Sequence, residues 1–178
     1  MTAVVVFESM FGNTQQIADA ITEGLARHLP VEQAEVGAAP AIVGDDVELL
    51  VVGGPTHAFG LTRPGTRQSA AQQAEGELVS KGMGLREWLG ALPKGSPDVA
   101  VAAFDTRISK PRLPGSAAAA AEKRLRRLGF RVLARSQSFF VEGPTGPLVG
   151  GERERARRWG EELAVRLAAA RPSQRRVP

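Results

Sequence analysis

Val4-Val5-Val6-Phe7-Glu8-Ser9-Met10-Phe11-Gly12-Asn13-Thr14 is the stretch on which the reading of this chain turns. Val4 to Phe7 form a continuous apolar run, which suits a strand covered on both faces, as in a parallel sheet. Beyond Thr14, Gln15-Gln16-Ile17-Ala18-Asp19-Ala20-Ile21 reads as a helix, so the junction is strand, turn, helix. An anion fits such a junction. Ser9 and Thr14 supply hydroxyls, Gly12 permits a tight turn, and Asn13 tolerates left-handed backbone. The first helical amides point outward with the positive end of the helix dipole. No acidic side chain lies between Ser9 and Thr14, so a phosphate dianion would meet no local repulsion there. The same cluster also suits a plain turn with Thr14 as helix cap.

Two common phosphate loops are excluded by residue identity. Gly12 is the only glycine of the turn, so the three-glycine dinucleotide fingerprint is missing, and no Gly-Lys-Ser/Thr follows. Working outward, Ile17, Ile21 and Leu25 form one apolar stripe on a helix ending near His28 and Pro30. Val31 to Val36 is a mixed-polarity second strand, suited to a sheet edge. Val47 to Val52 is the third strand, and it runs into Gly53-Gly54-Pro55-Thr56-His57-Ala58-Phe59-Gly60. The glycines let the backbone pass close to a neighbour, and Pro55 fixes the exit. A phosphoacceptor receiver domain is excluded, because an aspartate would be needed where Gly-Gly-Pro stands.

The remainder continues the alternation. Arg67 to Val79 is expected as a polar helix, with Gly82-Met83-Gly84 as punctuation and Leu85 to Leu92 as a second helical piece carrying Trp88 on its apolar side. Val99 to Phe104 is a fourth strand. It leads through Asp105-Thr106-Arg107 and a proline-rich loop to Ser116, a cap for the helix Ala117 to Leu128. Phe130 to Val141 is the last strand, interrupted near Ser136, and Glu152 to Ala169 is the closing helix. Five βα units call for a parallel sheet covered by helices on both faces. Residues 1–170 read as one domain, and 171–178 as a basic, disordered tail.

Ser9-x-x-Gly12-x-Thr14 after the first strand and Gly53-Gly54-Pro55-Thr56 after the third resemble the two cofactor loops of the flavodoxin family. The resemblance covers the chain apart from the tail. It implies a three-layer αβα sandwich, a five-stranded sheet of order 2-1-3-4-5, and noncovalent FMN at the carboxyl ends of the strands. Ser9, Met10, Phe11, Gly12, Asn13 and Thr14 would then wrap the phosphate. Pro55, Thr56, His57, Ala58, Phe59 and Gly60, with Asp105, Thr106 and Arg107, would flank the isoalloxazine. There are departures. Phe11 stands where many flavodoxins have threonine, the chain has no Tyr, and both Trp residues lie in helices. His57, Phe59 and Phe11 are the substitutes for the usual ring-covering aromatics.

Charge is unevenly spread. Residues 1–60 hold Arg27 against eight acidic residues, whereas the rest holds 22 basic and 11 acidic residues. Clusters such as Lys123-Arg124-Leu125-Arg126-Arg127 lack the aromatic series of a nucleic-acid surface and read as a solvated helix face, so no nucleic acid is expected. Zero cysteines remove disulfides and thiolate metal sites, and two histidines support no metal cluster. No stretch is long and apolar enough to span a bilayer. No signal-peptide pattern opens the chain, and a cytoplasmic location is expected.

Three functions follow from these residues. The first is an FMN redox protein, either an electron carrier serving a redox partner protein or a quinone or protoporphyrinogen-type oxidoreductase acting on a small anionic or quinone substrate. The second is a flavodoxin-like binding module that has lost FMN. The third is a hydrolase using Ser9, His57 and Asp105, against which stands the absence of a Gly-x-Ser-x-Gly elbow.

Overall fold

A computed structural model describes residues 1–170. The expectation for the tail, 171–178, lies outside the described residues. The described residues form six strands and five α-helices: β1 (Thr2–Phe7), α1 (Asn13–Ala26), β2 (Val31–Glu35), β3 (Val47–Pro55), α2 (Pro64–Gln73), α3 (Leu85–Ala91), β4 (Ala100–Ile108), α4 (Ala117–Arg127), β5 (Arg131–Val132), β6 (Gln137–Val141) and α5 (Glu152–Ala170). All strand pairs are parallel, in the order β2-β1-β3-β4, with β5 and β6 both on the outer edge of β4. Apart from its division into β5 and β6, this is the expected five-position sheet.

The division has a visible cause. β5 pairs with Ala100 and Val101, β6 pairs with Phe104 to Ile108, and between them the Ser136 amide donates to Glu122 of α4 at 2.8 Å. That backbone group is thereby withdrawn from the ladder, where the sequence leads one to expect an interruption.

Two apolar layers flank the sheet. On one side α1 and α5 cover Val5, Phe7, Leu49, Val51 and Phe104; on the other α3 and α4 cover Val6, Leu50, Val52 and Val101. α1 and α5 approach through glycine. A Cβ at Gly160 would lie 2.4 Å from the Ile21 carbonyl oxygen, and one at Gly24 would lie 2.1 Å from that of Arg157. Trp88 and Trp159 are both buried, as their helical spacing implies, and Trp159 packs edge-on to Phe104 and Phe139 at 6.5 and 6.1 Å.

Two boundaries differ from expectation. β3 runs on through Gly53-Gly54-Pro55, paired with Phe104, Asp105 and Thr106. Gly53 is required there because a Cβ would come within 2.1 Å of the Phe104 ring; the close neighbour of this glycine is the protein's own core. The polar helix expected over 67–79 is instead α2 over 64–73. Pro64 starts it, the Arg63 amide bonds to the Thr66 hydroxyl at 2.9 Å, and residues 74–84 leave helical geometry to bond the turn after β1. Val79 and Ser80 donate their amides to the Met10 and Ser9 carbonyls at 3.1 and 2.8 Å.

Candidate functional site

The sheet order reverses between β1 and β3, and in open parallel sheets the crevice at such a switch point, beyond the carboxyl ends of the strands, is the usual ligand position. A cavity of about 330 Å³ opens there, at the small end of the roughly 300–1,000 Å³ typical of ligand pockets. A cleft of about 550 Å³ at the amino-terminal ends of β3 and β4 is larger, but it is lined by Asp45, Asp46 and Asp98 and lies at the wrong end of the sheet for such a ligand.

The turn after β1 supplies Ser9, Met10, Phe11, Asn13 and Thr14 to the cavity. Gly12 is the cap of α1 at φ 89°, so the left-handed residue of the turn is the glycine itself, and no side chain, Thr14 included, caps the helix. The Ser9 hydroxyl accepts from the Gly12 amide at 3.1 Å and is fixed from behind, since the Ser9 amide donates to Ser80 at 3.0 Å and Ser80 donates to Glu35 at 2.6 Å. Among the described residues, the amides of Phe11, Asn13, Thr14 and Gln15 meet no acceptor. Neither does the Ser9 hydroxyl proton. Free amides at the start of a 14-residue helix, beside a serine and a threonine hydroxyl, form an anion nest. Asn13 is held aside, its side-chain amide donating to the Thr145 carbonyl at 3.1 Å.

The loop after β3 contributes Pro55, Thr56, His57 and Ala58. His57 and Gly60 exchange backbone hydrogen bonds at 2.9 and 3.1 Å, closing a two-residue hairpin with Ala58 at φ 44° and Phe59 at φ 72°. Left-handed backbone costs a side-chain-bearing residue about 1–2 kcal/mol, so the tip is strained. Phe59 and Gly60 do not line the cavity; the Phe59 side chain is 57% exposed.

The loop after β4 divides its three expected residues. Thr106 and Arg107 line the cavity. The Thr106 hydroxyl meets that of Thr14 at 2.7 Å and ties the first loop to the third, while the Arg107 guanidinium donates to the Leu113 carbonyl. Asp105, expected beside the ring, does not line the cavity. It is fully buried, and its Oδ2 accepts from Thr56, Ser116 and the Ala118 amide at 2.8, 2.6 and 3.1 Å, which anchors the start of α4. The hydrolase alternative thereby loses its acid, since the hydrogen bonds made by Asp105 go to hydroxyls and an amide, and none to His57.

Nothing in the sequence announces α2 as a wall of the cavity. Thr66, Ser69, Ala70 and Gln73 face the cavity, a pattern with no apolar stripe to announce it. Arg67 anchors this wall. It bonds Thr62 at 3.0 Å and grips both carboxylate oxygens of Glu87 at 3.1 Å, and a Cβ at Gly84 would lie 2.3 Å from its guanidinium. Beneath lies Glu8, fully buried, accepting from the Thr62 hydroxyl at 2.6 Å and the Leu85 amide at 2.7 Å. Burial raises the Glu8 pKa despite these donors and Arg67. Burial lowers that of His57, with the Arg67 charge adding to it, which favours the neutral imidazole. Glu87, although its partial burial acts the other way, is held below the ordinary carboxylate value by Arg67.

FMN can be tested against these residues. The unpartnered amides and the Ser9 and Thr14 hydroxyls suit its phosphate. Phe11, His57 and Ala58 offer planar and apolar contact for its ring, and Arg107 a cation. The residues fit the group, more completely at the phosphate end than at the ring.

No family profile matches the sequence, and no curated protein matches it. Solved structures do match in fold. A flavodoxin from the domain Archaea superposes with a TM-score of 0.63 at 18% identity, over 94% of this chain and 99% of its own. Oxidised flavodoxin 1 from Bacillus cereus gives 0.63 at 15% identity, over 97% of this chain and 100% of its own. The flavodiiron core from Synechocystis gives 0.60 at 17% identity, with 96% of this chain corresponding to 37% of that one. With this strand order, these helical layers and a cavity at the switch point, the chain is flavodoxin-like in fold.

Proposed function

We propose that the protein binds FMN noncovalently and acts as an electron carrier. The observation that supports this most is the nest of unpartnered amides at the start of α1, opening with the Ser9 and Thr14 hydroxyls into the switch-point cavity. The chemistry supplied there would be reversible electron transfer at the flavin ring. The chain's own residues would hold the phosphate, position the ring beside His57 and keep bulk water from its buried edge. No carboxylate lines the cavity among the described residues, and burial and the Arg67 charge favour the neutral form of the one histidine that does, His57. That economy suits a carrier better than an enzyme needing an acid and a base. Arg107, a cation lining the cavity, would favour a reduced, anionic ring and raise its potential.

The absence of Tyr and Trp from the cavity favours a second reading, a binding module without flavin. Purification from flavin-replete cells followed by FMN titration decides between the two. Uptake of one FMN with quenched flavin fluorescence is expected, and a colourless protein that takes up none rejects the redox reading. Reduction by a ferredoxin or flavodoxin reductase without quinone turnover supports the carrier; turnover of a quinone with a nicotinamide donor supports the oxidoreductase.

A further inference from the structure

Phe59 and Leu113 are large apolar side chains left 57% and 48% exposed, and both belong to loops at the cavity mouth. The loops are joined. Gly115, at φ 83°, lies so close to the hairpin tip that a Cβ there would meet the Phe59 carbonyl oxygen at 2.0 Å, and Arg107 fastens the Leu113 carbonyl from the other side. An exposed apolar pair set on mutually braced loops at a site entrance is characteristic of a contact surface.

Charge around this pair has one dominant sign. Arg63 caps α2 just after the hairpin, and Arg107, Lys110 and Arg112 come from the loop after β4. None of the four is in an ion pair among the described residues. Residues 55–74 and 106–121 contain no Asp or Glu. Acidic groups near the mouth are Glu142, just beyond β6, and Glu75 and Glu77 on the segment that bonds the first loop, of which Glu77 is paired with Lys81. The basic run on α4 differs, since Arg126 pairs with Glu122 and Arg124 donates to the Leu89 and Gly90 carbonyls.

We infer that the cavity mouth is a docking face for an acidic protein, with Phe59 and Leu113 as its apolar centre and Arg63, Arg107, Lys110 and Arg112 as its cationic rim. That the partner is a redox protein rests on the flavin reading; that it is acidic rests on the face alone. Cations at such a rim act on encounter rate and orientation, and their effect falls with salt.

The test uses a strongly acidic plant-type [2Fe–2S] ferredoxin as probe, with binding measured by calorimetry at about 20 mM and about 150 mM salt, on FMN-saturated and FMN-free protein. Binding at low salt that weakens at high salt is expected. Reversing Lys110 and Arg112 together to Glu should lower affinity about tenfold or more. Reversing Lys123 and Arg127 on α4, an equal change in net charge, should lower it less than about threefold. Phe59→Ser should weaken binding without altering its salt dependence. Equal losses from the two double variants, each shown folded by circular dichroism, would mean that bulk charge alone attracts the probe, and absence of binding at low salt would also overturn the face. Unchanged ferredoxin binding by a protein that takes up no FMN would leave the face standing and remove only the flavin reading.

Discussion

Replacing Thr14 and Thr106 by valine, singly and together, separates the structural from the ligand-binding role of the hydroxyl pair. Their oxygens lie 2.7 Å apart, and the two residues are 2% and 4% exposed, so the pair is largely shielded from bulk water. Removing one hydroxyl leaves the other without its partner, a loss of about 1–3 kcal/mol. Removing both leaves no orphan, so the double variant should be more stable than the summed single losses imply, by about 1 kcal/mol or more. Urea unfolding of the FMN-free proteins measures this. Flavin affinity should behave differently. One of the two hydroxyls donates to the other, and the proton of the acceptor remains available to the cavity. A hydrogen bond to a charged phosphate contributes about 1.5–3 kcal/mol, so Thr14→Val should weaken FMN about 10- to 150-fold, with no recovery in the double variant. Additive stability losses would refute the pairing argument, and unchanged FMN affinity in Thr14→Val would remove Thr14 from the phosphate site.

Three further outcomes follow from the packing and the buried carboxylates. Because burial raises the Glu8 pKa, the folded state favours its protonated form; wild-type stability should decline relative to Glu8→Gln as pH rises from the ordinary carboxylate value through the raised one, and parallel curves would contradict this. Glu152 has the opposite sign: burial works against it, but Arg155 at 2.6 Å and the Phe140 amide at 2.7 Å hold its pKa down. Glu152→Gln should therefore be destabilised near pH 7 and approach wild type as pH falls through the lowered value, which pH-dependent denaturation curves would reveal. Gly160→Ala must separate α5 from the Ile21 carbonyl and should lose about 1–3 kcal/mol, whereas Gly90→Ala, with nothing within 4 Å of its added carbon, should gain about 0.5–1 kcal/mol. Equal thermal midpoints for the two would show that the helices yield freely.

The turn that opens α1 was more legible than the rest of the cavity, for a physical reason. A helix-start anion nest is local: Ser9, Gly12 and Thr14 lie within six residues, and their spacing carries the geometry. The other walls of the cavity are assembled from distant segments. Nothing in Asp105-Thr106-Arg107 announces that the first residue turns inward to hold α4 while the other two reach the cavity. That outcome depends on Thr56 and Ser116 arriving as partners from elsewhere. The wall formed by α2 was equally hidden, because Thr66, Ser69 and Gln73 differ little from a solvated face until Arg67 finds Glu87 and fixes the helix over the cavity.

The sequence by itself determined the alternation of strands and helices, the burial of both tryptophans and the turn that starts α1. These follow from apolar periodicity, helical spacing and turn chemistry, all short-range properties of the chain. Tertiary structure alone decided what Gly53 is for, which of the loop residues face inward, and how Glu8, Thr62, Arg67 and Glu87 join into one network. Those outcomes depend on close approach and hydrogen-bond satisfaction between segments tens of residues apart, which no local pattern encodes.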